Sequence, residues 1–164
     1  MIRKKTSLKK SNKGYLFKEI DLIQAVITRM ANNSFFIKGW TVTLVVATLL
    51  LKGVKFQILI SLLPLFSFWF LDAYFLRQER MYRKLYNWVV ANRATTMDYL
   101  FDLNAIRFKD NVQSIVRIMF SITLGIFYGS ILILIVLYFI LFFGGLKWFE
   151  RFFLVFIMKT TFGV

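Results

Sequence analysis

The chain has 164 residues, 59% of them hydrophobic and 20 of them Phe, and Lys plus Arg outnumber Asp plus Glu by 22 to 8, for a net charge of +14. A soluble domain is closer to half apolar, and here the oily and cationic residues occupy separate blocks. Cys and His are both absent, which excludes disulfides and thiolate chemistry and removes the commonest general base and the usual zinc ligands.

Residues 1–15 are rich in Lys, Ser and Asn and read as a basic flexible tail. No short apolar core and small-residue cleavage site follow directly, so a signal peptide is not expected. In 16–34, Leu16, Ile20, Ile23, Ile27 and Met30 recur every three or four positions. That spacing predicts an amphipathic cytosolic or interfacial helix, with Lys18, Asp21, Gln24 and Thr28 facing away.

Residues 35–76 predict a transmembrane helical hairpin. Its first arm runs from Phe35 to Leu51. Crossing about 30 Å of hydrocarbon takes about 20 residues, with a lower limit near 17. The arm reaches that limit if Lys38 snorkels toward the interface. Lys52, Gly53, Val54 and Lys55 supply a tight turn, and the second arm runs from Phe56 to Leu76 with Asp72 near its end.

Residues 77–117 predict a cytosolic helical region. Tyr82, Leu85, Tyr86 and Val89 continue the helical stripe, and Glu79 and Arg83 stand at a favourable i,i+4 spacing. Asn92 to Thr96 reads as a break. A second helix is expected from Asp98, with Leu100, Leu103, Ile106 and Phe108 on one side. Residues 118–146 carry no charge and predict a third transmembrane helix, long enough to tilt or to bend at Gly144-Gly145. In 147–164, charged residues interrupt Trp148, Phe149, Phe152 and Phe156, giving either an interfacial amphipathic tail or a re-entrant segment.

The expected fold class is therefore all-α, an integral membrane protein with three transmembrane helices, an N-terminal amphipathic helix and a cytosolic helical segment. Eight Lys or Arg precede the first span and eight more lie between the second and third, against two in the hairpin turn and three in the tail. The positive-inside rule then places the N-terminus and the central region in the cytoplasm. The expected location is a bacterial inner membrane.

Three groups of residues stand out. Asp72 is the one acid within a span, and an ionisable residue there is a functional candidate. Counted from the hairpin turn at 1.5 Å per residue, Lys38 and Asp72 differ in height by about 5 Å, so an intramembrane pair is sterically open. Asp72 otherwise sits in the headgroup layer, capping, or pairing with Arg77 or a lipid. Ser121, Gly125 and Gly129 recur every four residues, which suits helix packing either onto this chain's own hairpin or between copies. Arg77, Arg80, Arg83 and Lys84 form a cytosolic basic face.

Enzyme readings fail on inventory. A phosphate loop is missing, a Ser–His pair is impossible, and a paired-aspartate protease needs two intramembrane acids. A non-enzyme without a cofactor is expected. Membrane lipids, further copies of the chain and a cytosolic sensor or partner protein are its expected partners, whereas nucleic acid is disfavoured for want of a binding motif.

The order of a basic helix ending "ITRMANNSFFIKGW", an oily hairpin and "LDAYFLRQERMYRKLYNWV" resembles the SLATT family of small bacterial membrane proteins found beside phage-defence genes. The likeness covers Leu16 to Val89 and is mostly architectural. It implies a membrane effector that oligomerises and breaches the inner membrane when a cytosolic sensor is triggered. It assigns no site residues, and that family is described with two spans where this chain has a third apolar run. A membrane anchor or adaptor and a small transporter subunit are the alternatives.

Overall fold

Two helices of unusual length dominate the computed structural model, which describes residues 2–51, 57–93 and 95–141, with only the backbone for residues 2–12, 57 and 58. Helix α1 is Ile2–Leu50 and α2 is Gln57–Asn92. A 3₁₀ helix, Ala105–Asn111, leads to the short α3, Ile115–Met119, and then to α4, Ile122–Phe139. Among the described residues every regular element is helical. The hairpin turn at 52–55, Gly144-Gly145 and the tail 147–164 lie outside them.

At 1.5 Å per residue, the 49 residues of α1 extend about 74 Å and the 36 of α2 about 54 Å. Both exceed the roughly 30 Å of a hydrocarbon core. The hairpin therefore continues without a break from an apolar half into a polar half. Three helices, within Lys13–Leu50, Leu59–Asn92 and Ile122–Phe139, are long and apolar enough to cross a membrane. Helix α2 passes through Pro64 without ending; such a residue is tolerated in spans, where neighbouring groups satisfy the freed carbonyl.

Two expectations change here. The basic stretch 1–15 is helical from Ile2, and 16–34 is the middle of α1 rather than an element of its own. Lys and Leu are good helix formers, and extending an existing helix avoids the cost of nucleation. The helix expected from Asp98 does not form. Tyr99 and Phe101 instead adopt φ near +60° (59° and 58°) in a run of turns. Asn104 then caps the 3₁₀ helix, its side chain accepting from the Ile106 N–H at 3.1 Å.

The third apolar run also departs from a single helix. It breaks at Phe120 and Ser121, separating α3 from α4. Ser114 and Ser121 both take extended backbone at helix starts, where serine is favoured. Gly125 N–H still donates to the Ser121 carbonyl at 2.7 Å, so α4 starts cleanly there.

The interior divides into two apolar clusters. One, around Val45, Leu65, Trp69, Leu124, Tyr128 and Ile135, joins the apolar parts of α1, α2 and α4. The other, around Ile23, Met81, Leu85, Val89 and Ala105, joins the polar halves of α1 and α2 to the 3₁₀ helix, forming a helical collar. Leu16, Ile20 and Ile27 pack against this second cluster. Burial from water stabilises it by about 1.5–3 kcal/mol per large side chain. In lipid that drive is absent, so the first cluster would depend on van der Waals fit and on hydrogen bonds between helices. Around it, Phe35, Leu63, Phe120, Ile122, Ile126 and Ile133 are each more than 60% exposed. An apolar belt of this kind suits acyl chains.

Candidate functional site: a buried charge layer and a helical collar

Polar groups meet where the two clusters adjoin. Asp72 on α2 is fully buried. Lys38 Nζ on α1 lies 2.6 Å from its Oδ2. Ser34, one turn before Lys38, donates to Oδ1, and accepts in turn from Lys38 Nζ at 2.7 Å. From α4, the Tyr128 hydroxyl stands 3.1 Å from Oδ2 and 3.3 Å from the Phe68 carbonyl, so its proton is shared between them. A carboxylate contacted by an ammonium and two hydroxyls is saturated, as a buried charge must be. The arrangement ties all three long apolar helices at one height.

Aromatic residues fix this layer. Trp69 stacks on Tyr128 with ring centroids 5.5 Å apart, and its indole N–H donates to the Met119 carbonyl at 2.9 Å. That bond also satisfies an end carbonyl of α3 beside the break. Lys38 Nζ lies 6.0 Å from the Phe127 ring centroid. Thr41, one turn beyond Ile37, returns its hydroxyl to the Ile37 carbonyl at 2.8 Å and leaves that backbone group covered.

The basic face divides into separate roles. Arg77 bridges to the following loop, donating to the carbonyls of Gln113 and Lys109 at 3.2 and 3.4 Å. Arg80 donates to the Gln113 side-chain oxygen at 3.0 Å. Arg83, largely exposed, pairs at 2.7 Å with the buried Glu79 one turn earlier. Lys84 has no hydrogen-bond or ion-pair partner among the described residues.

Ser121, Gly125 and Gly129 do not act as one packing stripe within the chain. Ser121 is the residue before α4, and its hydroxyl is buried without a partner among the described residues. Gly125 and Gly129 lie on α4, and a Cβ added at either would meet nothing within 4 Å. Neither glycine is needed for contact with the hairpin.

Two further constellations close the collar. Glu19 on α1 and Arg93 at the end of α2 form a bidentate pair, both contacts 2.7 Å, with both side chains fully buried. Arg93 also donates to the carbonyls of Thr96, Asp98 and Tyr99, fastening the turn segment to the hairpin. Arg107 lies across Trp88, Tyr99 and Phe108, its guanidinium carbon 4.4, 4.8 and 5.1 Å from the three ring centroids. Asp102 Oδ2 lies 4.0 Å from Arg107 Nη1, and stacking of this kind adds to that long ion pair. Among the described residues no group of three carboxylates could hold a metal ion.

The sequence carried a signal for Glu19 that periodicity alone passes over. Glu19 is three residues after Leu16 and four before Ile23, so it is an acid on the apolar stripe. Ser34 shares the face of Lys38 at i−4. Tyr128 gave no such signal, because an aromatic residue within an oily run is most often packing. Comparison with protein-family models, with curated proteins and with solved structures finds no match to this chain.

Proposed function

We propose that the chain is a multi-pass membrane protein of the bacterial inner membrane, with a cytoplasmic N-terminus, that self-associates and acts as an effector by permeabilising or depolarising the membrane. The observation that supports this reading best is the open space beside Gly125 and Gly129. These small residues are half-buried beside exposed Ile122, Ile126 and Ile133, and a Cβ added at either would meet nothing within 4 Å among the described residues. Small residues on a lipid-facing helix let a second helix approach closely. The collar is continuous with two of the spans, so a protein bound to it acts on the same rigid helices that cross the bilayer.

The SLATT-like layout implies the same activity. The transporter-subunit alternative needs Asp72 free to carry a cation, yet its oxygens are engaged by Lys38, Ser34 and Tyr128. The anchor alternative leaves membrane potential untouched and yields a copurifying partner.

The test is a voltage-sensitive dye read in cells during induced expression, alongside the oligomeric state of the purified protein. Self-association with loss of potential, both prevented by Gly125→Leu, is the expected result. A potential that holds in every state tested, with a monomer in detergent, rejects the reading.

A further inference from the structure

Between α2 and the loop entering α3 lies an open cleft of about 230 Å³, lined chiefly by Arg80, Arg83, Lys84, Asn87, Asn111 and Gln113. We infer that it is a binding site for a phosphate group, supplied either by an anionic lipid headgroup or by a soluble phosphate. This inference does not rest on self-association and goes beyond the effector reading.

The first argument is charge. Three cationic side chains converge on one concave surface, and no acid is among the lining residues. The acid within ion-pair distance of any of the three, among the described residues, is Glu79 on Arg83. Arg80 is oriented by Gln113 Oε1, which occupies one of its N–H groups and leaves others. Lys84 has no hydrogen-bond or ion-pair partner among the described residues. Charge-assisted bonds to phosphate oxygens are the strong use of such donors.

The second argument is the neutral lining. Asn87 on α2, and Asn111 and Gln113 on the wall opposite, carry side-chain amides, whose NH₂ groups donate to anions without adding charge. Gln113 is already held in place by Arg80, and its backbone carbonyl by Arg77. The cleft is thus braced from both sides by contacts that spare its interior.

The third argument is height. Arg80 follows Asp72 by eight residues on one helix, about 12 Å along the axis. Gln113 precedes Val116 and Phe120, which are exposed and apolar. If those apolar residues meet acyl chains, the cleft mouth lies level with lipid phosphates. Cationic residues at that level contribute about 1 kcal/mol each toward anionic lipid.

Full-length protein in neutral detergent tests the site. Native mass spectrometry would count retained phosphatidylglycerol against phosphatidylcholine, and calorimetry would follow inorganic phosphate. One saturable anionic ligand per chain is expected. The Arg80→Gln/Lys84→Gln variant should bind about thirtyfold more weakly, at about fivefold per cation. Lys18→Gln/Arg29→Gln, which removes the same charge from exposed positions on α1, should bind as the parent does. Phosphatidylglycerol that inorganic phosphate cannot displace identifies a lipid source, and displacement identifies a soluble one. Should the double variant misfold by circular dichroism, Lys84→Gln alone, which disturbs no contact, should still lose about fivefold. Absence of saturable binding by either probe, or equal loss in the α1 control, overturns the assignment.

Discussion

Removing one member of the Lys38–Asp72 pair should cost different amounts depending on which member goes. Asp72 is fully covered, whereas the Lys38 side chain is 25% exposed and carries its charge on a long flexible stem. In Lys38→Met the carboxylate stays buried with only Ser34 and Tyr128 as donors. Breaking a buried pair in this way costs about 3–5 kcal/mol. In Asp72→Asn the neutral amide is nearly the same shape and still accepts from one hydroxyl. The stranded ammonium can swing toward the near interface, so the loss should be nearer the ordinary 1–3 kcal/mol of a disrupted polar contact. The double variant removes both charges and should recover most of the larger loss. Thermal unfolding of all four proteins in one neutral detergent closes the cycle. Equal losses for the two single variants, or strictly additive losses in the double, would falsify the view of this layer as a saturated charge pair between α1 and α2.

Arg93→Met leaves Glu19 buried and removes the donor from three turn carbonyls, so it should destabilise by about 3–5 kcal/mol, with Glu19→Gln milder; detergent-phase thermal melts would rank them. Trp69→Phe keeps an aromatic ring on Tyr128 and loses the bond to Met119, for a cost of about 1 kcal/mol in the same assay. At Phe101, with φ of 58°, glycine should prove about 1 kcal/mol more stable than alanine, since both lose the ring and glycine alone tolerates that backbone freely. Alanine equal to or better than glycine there would mean the turn is not adopted.

The long hairpin was legible because its cause is one-dimensional. Apolar runs of spanning length, joined by a short basic turn, constrain both topology and relative height. Counting residues from that turn brought Lys38 and Asp72 within about 5 Å in height, leaving their pairing open, and the structure places their charged atoms 2.6 Å apart. The α2 stripe through Leu85 and Val89 likewise lies in the collar core, and α2 ends at Asn92, the start of the Asn92 to Thr96 stretch that reads as a break.

What escaped were features fixed by tertiary contact. Tyr99 and Phe101 hold backbone angles usually left to Gly or Asn, and each has an aromatic partner, Trp88 and Tyr15 respectively. Nothing local announces that conformation. The break at Ser121 interrupts an uncharged run that contains neither Pro nor Gly at that point. Its visible determinant, a serine before a helix start, recurs too often in apolar runs to be decisive. The stripe of Ser121, Gly125 and Gly129 could be counted, but its direction could not. Only the position of α4 against α2 leaves open space where a side chain at either glycine would project.

The absence of cysteine from the whole chain makes topology directly measurable. Single cysteines at Leu51 and at Asn87, probed in intact cells with a membrane-impermeant maleimide, test whether the hairpin crosses a bilayer with its collar in the cytoplasm. Leu51→Cys should label from outside, and Asn87→Cys only after the membrane is opened. Labelling of both sites in intact cells, or recovery of the chain in the detergent-free soluble fraction, would contradict the account.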